Sequence, residues 1–404
     1  MYSDRETLCF LQNVPGIGNK TIRELWTYFK TGDRIFRAEE EELGLLLGEK
    51  RKAAFLQARE KTDPTAVLKQ IEKKGISYCT VFDWNYPERL RKISDAPLAL
   101  YVRGKLPPEE KMTAAVVGAR KHSYYGEKQT RVFAGILARE QVGVISGMAK
   151  GIDSIAQMTA IECGGTSYAV LGCGVDICYP PECRRLYERL PESGGIISEY
   201  PPGTQPKAGL FPLRNRIISG LCDILLVMEA RQRSGTLITV DMALEQGKEI
   251  WALPGRCDDV LSYGCNRLIS QGCGILTGEK EFVEELELLK SKYEKKPWRN
   301  EMTERVKGES EGYRQQKDLD KTGGVYGASD YQQKVMEMCS RSVGLEQKLL
   351  AVLDYQPMSL TEIYNRLKTE NESCVTLPNV SAALVELCLK QLARQVNGNW
   401  FIRV

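Results

Sequence analysis

Along residues 113–276 short apolar runs alternate with longer segments in which apolar positions recur at helical spacing. Runs at 113–118, 142–146, 166–171, 195–198, 223–229, 249–253 and 274–276 are short, apolar and separated by helical patterns, so they read as strands. Strand, loop and helix repeating in this way predict βαβ units and an open parallel sheet. Residues 1–65 follow another rhythm. Ile22, Leu25, Trp26 and Phe29 fall on one helical face, and Val14-Pro15-Gly16-Ile17-Gly18 separates two helical segments. Two readings fit that pentapeptide: a helix-hairpin-helix turn offering backbone N–H groups to a phosphate, or a tight turn in a small helical bundle. Residues 66–112 read as a helix, short strands and a proline-rich lead-in connecting to the large domain.

From 291 to 342 the pattern fades into a charged, apolar-poor stretch expected to be a flexible tether. Beyond it, three helical segments and an alternating run around Asn397-Gly398 predict a winged-helix module with a β-hairpin. Its third helix, 377–392, offers only Lys390 as a cation, which favours protein interaction or regulation over duplex readout. The expected division is therefore 1–65 helical, 66–290 a parallel α/β sheet domain, 291–342 linker and 343–404 winged helix.

Composition narrows the function classes. The 404 residues are 42% hydrophobic and 27% charged, ordinary for a soluble globular chain. No apolar run reaches the roughly 20 residues of a membrane span, and no secretory signal opens the sequence. Thirteen cysteines, an odd number without CxxC pairs, point to reduced thiols and a cytoplasmic setting. The trios Cys173, Cys178, Cys183 and Cys257, Cys265, Cys273 lack metal-site spacing, and His122 is the sole histidine, so no metal and no cofactor are expected. A net charge of +3 is too small to imply a nucleic-acid partner, and local clustering has to carry that inference.

Chemistry collects where strands end. After the first strand Gly118 permits a turn and Arg120 presents a planar cation suited to a phosphate or a base, or alternatively to a salt bridge with the following helix. The GxGxxG fingerprint is missing, and Ser146 stands where a ribose-binding acid would close the second strand. Ser146 and Gly147 begin a small-residue loop whose amides are expected to face outward, the Ser146 hydroxyl donating to phosphate and Lys150 adding charge. Asp153 reads as a cap or an arginine partner. The Walker spacing is absent, so ATP hydrolysis is unsupported. Lys207 and Phe211 pair a cation with an aromatic, as a single-strand binder needs, although Phe211 fits a plain core position as well. Arg214, Asn215 and Arg216 follow in succession and cannot share one helical face, so at least one arginine is structural. Ser234, Gly235 and Thr236 open a helix and could form an anion nest. That segment has a faint likeness to the GGxGTxxE loop of nucleotide N-glycosidases, but Thr239 stands where their glutamate belongs. No other catalytic constellation emerges.

Taken in order, GAR, SGMAKGID, GCGVDICYP, FPLRNRIISG, EARQRSGTLIT, ALPG and YGCNRLISQGC closely resemble the DprA (Smf) family of DNA-processing proteins, from about residue 70 to 280. The resemblance implies an extended Rossmann-like domain that binds single-stranded DNA without catalysis. It also implies a homodimer formed through that domain, and handover of the strand to the recombinase RecA during natural transformation. By the same resemblance the DNA contacts are Gly118, Arg120, Ser146, Gly147, Lys150, Lys207, Phe211, Arg214, Asn215 and Ser234-Gly235-Thr236. The rival reading is a phosphoribohydrolase-like nucleotide N-glycosidase using the same crevice, with Glu245 as its acid. A third is a scaffold whose terminal domains recruit proteins.

Overall fold

The computed structural model describes residues 1–294 and, further on, positions 349, 353, 358–359, 363–364, 366–367, 380, 384, 387, 393–397 and 400–403. Five helices come first: α1 (Asp4–Gln12), α2 (Asn19–Phe29), α3 (Gly32–Arg37), α4 (Glu40–Lys61) and α5 (Pro64–Lys73). Local chemistry sets their starts. Ser3 and Glu6 form a reciprocal capping box on α1, Thr31 caps α3, and Asp63 caps α5 with Pro64 in its first turn. The apolar face of α2 is buried through Ile22, Leu25, Trp26 and Phe29, as its spacing predicts.

The segment expected to be connecting structure contributes two strands to the main sheet, β1 (Ser77–Thr80) and β2 (Ala99–Gly104), on either side of the short helix α6 (Glu88–Arg91). The expected parallel strands follow as β3 (Thr113–Val117), β4 (Gly143–Ser146), β5 (Ser167–Val170), β6 (Gly194–Ser198), β7 (Ile224–Val227), β8 (Glu249–Ala252) and β9 (Gly274–Ile275). The helices between and after them are α7 (Tyr124–Arg139), α8 (Ile152–Glu162), α9 (Arg184–Ser193), α10 (Leu210–Leu221), α11 (Gly235–Glu245), α12 (Tyr263–Ser270) and α13 (Glu279–Glu294).

The nine strands order as β1-β2-β6-β5-β4-β3-β7-β8-β9. Strand β2 is antiparallel to both β1 and β6, and the rest of the sheet is parallel. The chain therefore leaves the centre at β3, builds outward to β6, then returns to β7 and builds the other way. With right-handed crossovers this reversal sends the helices after β3 and β7 to opposite faces and opens a crevice between those strands at their C-terminal ends. One core packs α7, α8 and α13 onto β3, β4 and β7 through Phe133, Leu137, Ile152, Ala156, Phe282 and Leu286. Phe133 and Phe282 meet edge to face at 5.2 Å between centroids.

The expected tether, beyond Glu294, lies outside the described residues. In the C-terminal unit, β10 (Met358–Ser359) and β11 (Ala393–Asn397) both pair antiparallel with β12 (Trp400–Arg403). Leu349, Leu353, Met358, Ile363, Leu367, Val380, Leu384 and Leu387 form its buried core. No described helix is long and apolar enough to cross a membrane.

Candidate nucleic-acid interface

The loops leaving β3 and β4 clasp one another. The Ile152 amide donates to the Ala119 carbonyl at 3.2 Å, and Gly151 sits at φ +91° with its α-carbon against the Ala119 and Arg120 carbonyls. A Cβ on Gly151 would lie 2.6 Å from the Arg120 oxygen, so glycine is required both for its φ and for the approach. Gly118 is confined by close approach alone, because a Cβ there would meet the Ile152 side chain at 2.7 Å. The clasp leaves Arg120 and Lys150 exposed on its outer side.

Beneath it, three sequence expectations need correction. Ser146 is fully buried and its hydroxyl donates to the Val116 carbonyl on β3 at 2.6 Å, so it braces the sheet rather than reaching outward. The amides after it also turn in: Gly147 donates to Asp153 Oδ2 at 3.1 Å and Met148 to Gln157 Oε1 at 3.1 Å. Arg214, expected to contact DNA, is 5% exposed and donates through Nη1 to the Val170 carbonyl at 2.7 Å. Burial lowers the Arg214 pKa to about 10, with the Asp153 carboxylate opposing the fall, so it stays cationic at neutral pH. Burial likewise raises the Asp153 pKa, against the pull of Arg214 and the Gly147 amide. Asp153, through the Gly147 amide, and Arg214, packed on the Gly147 backbone, fix the loop from below. As the sequence requires, an arginine in the Arg214-Asn215-Arg216 run is structural, and both are: Arg216 grips the buried Glu199 carboxylate at 2.7 and 2.8 Å. Asn215, between them, is half-buried.

Lys207 is exposed just before α10, and its carbonyl accepts from the Leu210 amide. Phe211, in the first turn of α10, lies over Gly172 and stacks on Tyr179 with centroids 5.3 Å apart and planes 25° from parallel. On the other side of β3, Ser234 precedes α11 without capping it, and its Oγ is inaccessible and unpartnered. Gly235 is exposed and Thr236 half-buried in the first turn, where helical N–H groups lack intrahelical acceptors.

At the crevice itself the position that a dinucleotide phosphate would take, the N-terminus of α7, is filled from within. Glu229 is 2% exposed, and its carboxylate accepts from both the amide and the hydroxyl of Ser123. A Cβ on Gly126 would overlap that carboxylate. The helix end that binds pyrophosphate in a nucleotide-binding sheet is thus satisfied by the protein's own charge. Glu245, the acid of the glycosidase reading, is exposed at the last position of α11, ten residues and so about 15 Å along the axis from Gly235.

Charge on the four loops after β3, β4, β6 and β7 is one-sided. Arg120, Lys121, Lys150, Lys207, Arg231 and Arg233 are all exposed, and none makes an ion pair among the described residues. These loops carry two carboxylates, Glu199 and Glu229, and both are buried against Arg216 and Ser123. Lys121, Arg231 and Arg233 were not among the expected contacts. Their signal was available in the sequence as cations following apolar strands, in the same manner as Arg120. Among the described residues no group of three or more His, Cys, Asp or Glu could hold a metal.

These features define an open α/β sheet with a cationic C-terminal rim and a nucleotide crevice closed by its own side chain. Residues 77–287 match the model of the DNA recombination-mediator protein A family, and the chain belongs to that family. It is 38% identical to the DNA processing protein DprA of Streptococcus pneumoniae over 272 residues, which are 67% of this chain and 95% of that one. It is 45% identical to the protein Smf of Escherichia coli over 203 residues, 50% of this chain and 54% of that protein. The X-ray structure of DprA from Streptococcus pneumoniae superimposes with a TM-score of 0.62 at 33% identity, covering 70% of this chain and 99% of that one.

Proposed function

We propose that the protein binds single-stranded DNA along the C-terminal rim of its sheet, without catalysing a reaction on it. One observation carries this reading: six exposed cations on the loops after β3, β4, β6 and β7, whose own two carboxylates are turned inward, so that the exposed acids of this stretch of rim, Asp176 and Glu182, are confined to the segment after β5. Such a rim suits a flexible polyanion, which can bend to meet each charge in turn, better than a single nucleotide. Arg120, Lys150 and Lys207 would hold phosphates, and the aromatic stack built on Phe211 would meet a base. Ser146, Gly147 and Arg214 would support the contacts from beneath. Sequence preference should be slight, since backbone charge carries no base information.

Membership of the family supports a place in DNA processing and recombination, with handover of the strand to RecA and a homodimer through the sheet domain as the finer proposal. The three-stranded sheet and apolar core of the C-terminal unit support a winged-helix module over 343–404. Its proposed role is protein contact. The glycosidase reading loses support with Glu245 at the far end of α11.

The test is fluorescence anisotropy of a labelled oligothymidylate with unlabelled single strand, duplex and nucleoside monophosphate as competitors, together with chromatography for released base. Single strand should compete best, the monophosphate not at all, and no base should appear. Preferential competition by the monophosphate, or base release, overturns the proposal.

A further inference from the structure

Tyr179 is 41% exposed, yet its loop is fastened at several points. The Gly174 amide donates to the Thr204 carbonyl at 2.9 Å and the Gly203 amide to Asp176 Oδ1 at 2.8 Å, which joins the loop after β5 to the loop after β6. The Tyr187 hydroxyl holds the Val175 carbonyl at 2.7 Å, and the Cys183 amide takes the Pro180 carbonyl at 3.1 Å. On this base the Tyr179 ring stacks on Phe211, which itself lies on Gly172, where a Cβ would come within 2.9 Å of Phe211 Cδ1. The result is a layered column: glycine backbone, phenyl ring, then a tyrosine ring open to solvent.

We infer that Tyr179, supported by Phe211, is a stacking platform for one unpaired nucleobase of the bound strand. This rests on the single-strand reading above and assigns it a base-contacting residue. A ring already held in place gives up little rotamer entropy when a base lands on it, and every base has a π-face, so the contact is strong and tolerant of sequence. Charge fixes how the strand must pass. Asp176 is exposed three residues before Tyr179 and repels phosphate, while Lys207 is exposed four residues before Phe211, ahead of α10, and attracts it. The backbone therefore runs on the Lys207 side, with its base turned onto the tyrosine. Phe211 alone is a poorer candidate for direct contact, because it is half-buried between Gly172 and Tyr179.

The experiment compares full-length protein with Tyr179→Ala and Tyr179→Phe on two oligomers of equal length, oligothymidylate and an abasic strand with the same phosphates. Tyr179→Ala should weaken thymidylate binding by about tenfold, a typical stacking contribution. Its affinity for the abasic strand and the salt dependence on both oligomers should stay as in the wild type, and Tyr179→Phe should behave like the wild type on both. If wild-type protein binds neither oligomer, the single-strand reading fails and this one with it. If wild-type protein binds thymidylate and Tyr179→Ala matches it, or loses affinity equally on the abasic strand, the platform alone is wrong.

Discussion

The Arg214 guanidinium lies directly on Gly147, so close that a Cβ at Gly147 would be 2.6 Å from Arg214 Cζ. A buried cation thus occupies the space a side chain would need at the end of β4, and the loop bearing Lys150 is shaped around it. Gly147→Ala should push the guanidinium off the Val170 carbonyl, and overpacking of this kind costs about 1–3 kcal/mol. Urea denaturation reads the loss. A variant as stable as the wild type would mean that Arg214 relocates freely and does not shape the loop.

The ion pair of Arg216 with Glu199 joins three parts of the fold. Arg216 sits mid-α10 and Glu199 directly after β6, while the Asn19 side chain at the start of α2 donates to Glu199 Oε2 at 3.1 Å. Burial disfavours the Arg216 charge, but the hydrogen-bonded Glu199 carboxylate outweighs it and holds the Arg216 pKa above that of an ordinary guanidinium. Glu199→Ala should cost about 3 kcal/mol, the low end for breaking a buried pair, since Arg216 loses its buried partner but keeps the more exposed Asp95 carboxylate at 3.1 Å. Replacing both partners, Glu199→Leu with Arg216→Met, should recover much of that loss. Denaturation midpoints of the single and double variants check it, and strictly additive losses would argue that the two charges are uncoupled.

Binding through the rim should be counted in released counterions. For single strands the slope of log affinity against log salt is about −0.7 per phosphate contacted. Alanine at Arg120, Lys150, Lys207, Arg231 or Arg233 should each make that slope shallower by about 0.7 and weaken all strand sequences alike. Anisotropy titrations from low to moderate salt give the slopes. Arg131, already paired with Glu127 at 2.9 Å on the exposed side of α7, serves as the control that should leave the slope unchanged.

Much of the sheet was legible because its seven parallel strands are short apolar runs, most of them buried, separated by segments at helical spacing, a pattern written locally in the chain. Strands β1 and β2 were harder. They add to the edge of the sheet antiparallel to their neighbours, and only that pairing distinguishes them from connecting structure. At the rim, Arg120, Lys150 and Lys207 were readable as cations next to glycine. The inward turn of Ser146 and Arg214 was not, because it depends on carbonyls of other strands: Val116 on β3 and Val170 on β5. Glu229 shows the same limit. Its partner, Ser123, is 106 residues away, and only the adjacency of β3 and β7 brings the carboxylate to the start of α7.

Thiol chemistry offers a test of burial that is independent of DNA. Burial pushes Cys9, Cys79 and Cys265 up to about 12 from 9.0, whereas Cys163 and Cys257 are exposed. In native protein at pH 8 an aromatic disulfide reagent should label Cys163 and Cys257 quickly, and the three buried thiols only as the chain unfolds. Stability should follow the same protons. Below about pH 9 both folded and unfolded thiols are protonated; above it the unfolded chain releases protons that the folded chain keeps until about 12, so stability falls as pH rises through this window. Each buried thiol should account for about 1 kcal/mol of the loss by pH 9.5. Urea midpoints at pH 7.5 and 9.5 measure the fall, and Cys265→Ala should reduce it. Rapid native labelling of Cys265 would place that residue at an accessible surface, contrary to its position beneath the Val227 carbonyl.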